Sequence, residues 1–63
     1  MDEFEKAARE NLDRHIGDVC SGVDDIEVIR EEAWTLAHDG AVDAGATMEQ
    51  ACEIAHRIVE VLY

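Results

Sequence analysis

The residues best suited to metal or nucleophilic chemistry are two cysteines and two histidines: His15, Cys20, Cys52 and His56. Cys52 and His56 are spaced i, i+4, which brings both side chains within reach of one ion on a helix. His15 and Cys20 are five apart and diverge on a continuous helix, and the chain has no Cys-x-x-Cys knuckle. The expectation is therefore no metal centre, with the thiols buried and the histidines at the core boundary. Without a secretory signal, two reduced thiols are expected rather than a disulfide.

Catalysis fares no better. The only serine, Ser21, stands beside Gly22 in a turn signal, and neither a glycine-rich elbow nor a phosphate loop is present. A Cys-His pair at i, i+4 could polarise a thiol, but no oxyanion site accompanies it. The alternating acids, central Gly and terminal Glu of a calcium-binding EF-hand loop are also missing. The reading is a protein that is not an enzyme and holds no cofactor.

What the chain has in excess is carboxylate. Sixteen acids against five bases give a net charge of −11 over 63 residues. Nucleic-acid binding relies on Lys and Arg to displace counterions from phosphates, so direct contact with DNA or RNA has the wrong sign, as does an anionic membrane. The field favours a basic partner. No apolar run approaches the roughly 20 residues of a membrane span. The acidic start MDEFEKAARE lacks the apolar core of a signal peptide, so the expected compartment is the cytoplasm. An initial Met and a helical pattern running to the last residues give the expectation of a complete small protein forming one domain, 1–63.

Three helices are expected to position these groups. Phe4, Ala8, Leu12, Ile16 and Val19 fall on one stripe of a helix from about Asp2 to Cys20, ended by Ser21-Gly22. Asp2 and Glu3 suit the positive end of its dipole. A second helix runs from about Asp25 to His38, with Asp24 as N-cap and Glu27 in the first turn. Its apolar arc is Ile26, Ile29, Ala33, Leu36 and Ala37, and Asp39-Gly40 closes it. The stretch AVDAG is either a loop or one further turn ending at Gly45. Thr47 to Gln50, TMEQ, is a capping box that opens a third helix from about Met48 to Leu62. That helix has a broad apolar arc: Met48, Ala51, Cys52, Ile54, Ala55, Ile58, Val59, Val61 and Leu62. The fold class is all-α, a small three-helix bundle. A helical hairpin that completes its core as a homodimer is the alternative.

The acids are distributed unevenly. On helix 1, Glu5-Arg9, Lys6-Glu10, Arg9-Asp13 and Glu10-Arg14 all have i, i+4 spacing and are expected to pair. From Asp18 to Glu32 there are six acids and one base. Glu27 and Glu31 are like-charged neighbours at i, i+4, a destabilising arrangement. Glu49, Glu53 and Glu60 lie within about 40° of one another around helix 3, with Arg57 the only base near them.

Such rows admit a bland explanation, a proteome-wide acidic bias of the kind found in salt-adapted organisms. They also admit a sharper one. Carboxylates one turn apart are about 5–6 Å from each other, comparable to neighbouring phosphates on a nucleic-acid strand. A rigid helix could then present a phosphate-like row to a basic groove. In size and charge the chain resembles the small acidic inhibitors encoded by bacteriophages, including anti-CRISPR proteins that imitate DNA. The resemblance implies a DNA-mimic inhibitor occupying a basic nucleic-acid-binding surface of a protein or complex, and it carries no site with it.

The residues expected to meet that partner are Asp24, Asp25, Glu27, Glu31 and Glu32, with Glu49 and Glu53 as a second row. Trp34, the only tryptophan, stands at the margin of the apolar arc of helix 2. It is either a core-edge aromatic or an interface anchor flanked by acids. The alternative function is a dimerisation or assembly module whose acidic face serves solubility. LAHDGAVDAGATMEQACEIAHRI has a helix-turn-helix look, which the charge turns away from DNA and toward protein docking.

Overall fold

The computed structural model describes residues 3–62. Within them the chain forms α1 (Glu3–Val19), α2 (Ile26–Asp43) and α3 (Met48–Leu62), with no strand among the described residues. Asp2, expected at the start of α1, lies outside the described residues. The long axis of the molecule is 31 Å and the other two are 18 Å. A helix the length of α2 spans about 27 Å, so the three helices must run alongside one another, up, down and up. α2 is the middle element, packing extensively on both neighbours, whereas α1 and α3 touch much less.

Each boundary has a local chemical cause. Asp25 caps α2: its Oδ1 accepts a 3.0 Å hydrogen bond from the Glu27 N–H. The expected cap was Asp24. Two adjacent aspartates both satisfy the cap chemistry, and the backbone at Asp25 takes the extended conformation that a cap requires. α3 opens on the expected capping box. Thr47 Oγ1 accepts from the Gln50 N–H at 3.1 Å, and Gln50 Oε1 accepts from the Thr47 N–H at 3.0 Å.

The end of α2 corrects the sequence reading. The helix does not close at Asp39-Gly40 but continues to Asp43 and ends in a Schellman motif. The Ala46 N–H donates to the Ala41 carbonyl at 3.0 Å and the Gly45 N–H to the Val42 carbonyl at 3.0 Å. Gly45 has φ +109, which only glycine adopts without strain. Of the two readings of AVDAG, the extra turn ending at Gly45 is the one that forms.

Gly40 instead serves the α1–α2 crossing. A Cβ on it would meet Asn11 Cβ at 2.7 Å, the Ala7 carbonyl oxygen at 2.8 Å and Ala8 Cα at 2.9 Å. Beside this point Asn11 Nδ2 donates to the Leu36 carbonyl at 2.7 Å. The core around it is built from small residues. Ala8, Ala33, Ala37, Ala41, Ala46, Ala51 and Ala55 are buried with Leu12, Ile54, Ile58 and Val59, and Leu12 is the only large side chain fully enclosed among the described residues. Phe4, Ile16, Trp34 and Leu36 cover the margins. Such a core favours close helix approach over bulk, and the hydrophobic area it supplies is modest.

The apolar arcs are narrower than expected. Ile26 of α2 is exposed, as are Val19 of α1 and Met48, Cys52, Val61 and Leu62 of α3. The reason is the limited α1–α3 contact: α3 is covered chiefly from the α2 side. No described helix is long and apolar enough to cross a membrane.

Candidate partner-binding surface

No charged or polar side chain is buried among the described residues. The carboxylates are therefore in water or at its edge. The four ion pairs expected along α1 do not form: among the described residues the acidic side chains have only histidine as a cationic neighbour. An exposed i, i+4 pair is worth only about 0.3–0.5 kcal/mol, which competes poorly with hydration and side-chain entropy. His56 Nε2 lies 3.1 Å from Glu60 Oε1, and His38 Nδ1 lies 3.9 Å from Asp39 Oδ1. Each is an ion pair only while its imidazole is protonated.

Helix geometry sorts the expected site residues into groups. Asp24 and Asp25 are exposed just ahead of α2, and one oxygen of Asp25 is committed to the cap. Glu27, Glu31, Trp34 and His38 follow steps of four, three and four and form one stripe of α2. Both glutamates are exposed. Trp34, half-buried, faces α3: it lines a groove of about 520 Å³ with Cys52, Glu53, His56, Arg57 and Glu60. This stripe therefore borders the α2–α3 side.

Glu32 belongs elsewhere. It lies roughly 140° around the helix from Glu27 and only about 20° from Asp43. Asp43 lines a smaller pocket of about 190 Å³ with Ala7, Glu10, Asn11, Arg14, Gly40 and Ala44, on the α1–α2 side. The first expected row thus divides between two faces. On α3, Glu49 and Glu53 are exposed, and with Glu60 they lie roughly opposite the buried stripe of Ile54 and Ile58. Glu53 joins the groove; Glu49 stands one turn before it.

Trp34 also stacks on His38, with ring centroids 4.9 Å apart and an interplanar angle of 21°. His38 itself does not line the groove. The α3 residues Cys52, His56, Arg57 and Glu60 were not grouped with Trp34 in the sequence reading. Their own signal was the i, i+4, i+8 stripe of Cys52, His56 and Glu60; what the sequence lacked was the α2–α3 register that sets Trp34 against it.

Of the four metal-type residues, Cys52 and His56 share the groove. The described residues contain no group of three or more His, Cys, Asp or Glu arranged to hold a metal ion. Both cysteines are free, Cys20 half-buried and Cys52 exposed, so the expected burial of the thiols does not occur. The chain matches no protein-family model, and no curated protein or solved structure is significantly similar to it.

Proposed function

We propose that this chain is a non-enzymatic acidic binding protein that occupies a basic, nucleic-acid-binding surface of a protein partner, in the manner of a DNA-mimic inhibitor. One observation carries the reading: the described carboxylates stand in water with no Lys or Arg partner among the described residues. Concentrating net charge −11 on so small a bundle costs folding free energy through self-repulsion. An arrangement in which Lys and Arg neutralise the acids, as the α1 spacings permit, would cost less. Unpaired rows on rigid helices provide long-range attraction for a basic groove and fast, salt-sensitive association. The Glu27–Glu31 stripe and the Glu49–Glu53–Glu60 row supply that surface, with Trp34 between them as an apolar anchor.

The test is capture from the native host's lysate on immobilised protein, with elution by rising salt and by competing duplex DNA. Recovery of a basic nucleic-acid-binding protein released by both supports the proposal. A partner that resists salt and ignores DNA contradicts it.

A second reading has its own observation. Val19 (44% exposed), Ile26 (53%), Val61 (78%) and Leu62 (42%) all belong to the end of the bundle where α1 finishes, α2 begins and α3 finishes. An apolar end of this kind suits an assembly module that associates through it while the acids maintain solubility. Stability that rises with protein concentration, and binding indifferent to salt, would distinguish it.

A further inference from the structure

We propose that the groove between α2 and α3 is an arginine-binding site, taking a guanidinium side chain of the basic partner onto the indole of Trp34 with Glu53 and Glu60 as its carboxylate acceptors. This rests on the reading of the protein as a ligand of basic surfaces and names the chemistry of its anchor point.

Three features of the groove point to a planar cation. Its α2 wall is the Trp34 ring, half-buried and steadied by the stack with His38. An indole held in one orientation meets a cation at little entropic cost, and tryptophan is the strongest of the aromatic residues for that contact. The α3 wall carries two carboxylates. Glu53 has no hydrogen-bond or ion-pair partner among the described residues, and Glu60 is engaged only by His56. The volume, about 520 Å³, admits a long side chain. A guanidinium stacks on an aromatic face while its fork of N–H donors meets a carboxylate; a lysine ammonium, compact and strongly hydrated, cannot do both.

Arg57 gives the proposal a sharp internal check. It lines the same groove and stands i, i+4 from Glu53, yet it forms no ion pair with Glu53 or Glu60. It is the chain's own competitor for the site: its positive charge repels an incoming guanidinium and its side chain can swing toward Glu53. Removing that charge should tighten binding, although removing a positive group from a surface rim usually has little consequence.

The test uses the full chain and two peptides of equal length and charge, one with arginine alternating with glycine and one with lysine in the same places. Binding is followed by the fluorescence of Trp34, the only tryptophan, so the signal reports on the groove itself. The arginine peptide should change the emission and bind about threefold or more tighter than the lysine peptide, because only the planar guanidinium stacks on the ring and meets a carboxylate with its N–H fork at once. Glu53→Gln with Glu60→Gln should remove most of this preference. Arg57→Gln should tighten arginine binding. Glu3→Gln with Asp13→Asn, which removes the same charge from α1, should leave the arginine-over-lysine ratio unchanged. All these residues are exposed, so the variants should retain their helicity by circular dichroism.

Equal binding of the two peptides, or unaltered Trp34 emission, overturns the groove assignment. The two levels of the proposal fail separately. A basic partner captured equally by wild-type protein and by the Glu53→Gln, Glu60→Gln variant removes the groove and keeps the mimic reading. Arginine selectivity with no nucleic-acid-binding partner in the lysate keeps the groove and removes the mimic reading.

Discussion

Asn11 of α1 donates from Nδ2 to the carbonyl oxygen of Leu36 of α2 at 2.7 Å, and this bond ties the two helices together one turn from Gly40. The Leu36 carbonyl is four residues before Gly40, so it belongs to the turn of α2 that the absent Gly40 side chain allows to approach Ala7 and Ala8. The α1–α2 crossing is thus fixed by one small residue and one polar bond.

Gly40→Ala is the discriminating substitution at this crossing. In a helix with free surroundings it would stabilise by up to about 1 kcal/mol. Here the new Cβ falls under 3.0 Å from two backbone atoms of α1, so the expected result is a loss of about 1–3 kcal/mol, read as a lower midpoint in urea or thermal unfolding. Increased stability would mean that α1 and α2 cross elsewhere.

Leu12→Ala should be the most damaging single truncation of the core. It removes the only large, fully enclosed side chain among the described residues, and such deletions cost about 2–5 kcal/mol. Met48→Ala, at a residue the sequence places in the core but the structure leaves 69% exposed, should change stability by no more than about 0.5 kcal/mol. Chemical denaturation of both variants checks the contrast.

Salt should stabilise the free protein. Between ~0.01 M and ~0.15 M salt the screening length falls from about 30 to 8 Å, which weakens repulsion among the unpaired acids and leaves few favourable pairs to lose. Glu31→Lys should reproduce part of this gain by relieving its i, i+4 repulsion from Glu27, by about 0.2–0.5 kcal/mol. Thermal midpoints across that salt range, for wild type and variant, provide the measurement. If the protein folds only at molar salt, the acids reflect adaptation to brine rather than a binding surface.

How much of this was legible beforehand depended on whether the cause was local. The Thr47–Gln50 box could be read directly because both partners lie within one turn. The cap at Asp25 was displaced by one position because Asp24 satisfies the same local rule. Gly40 departs from its local signal for a different reason. Its local meaning, a helix stop, competes with a tertiary one, a close crossing, and only Ala7, Ala8 and Asn11 decide between them. The apolar arc of α3 was overdrawn because periodicity marks Val61 and Leu62 as apolar without showing that α1 leaves them uncovered. Trp34 was recognisable as an edge residue flanked by acids. That Glu53, His56 and Arg57 stand across from it follows from how α2 and α3 align, which neither helix encodes alone.

The central claim is tested most directly by displacement. A labelled duplex is bound to the basic protein captured from the host lysate, and its release is followed by fluorescence anisotropy as this chain is added. Wild-type protein should free the duplex in a salt-sensitive manner. A variant carrying Glu27→Lys, Glu31→Lys, Glu49→Lys and Glu53→Lys should retain its helicity and release none. Release by that variant as effective as by wild type, or no release by the wild-type chain, would contradict the account.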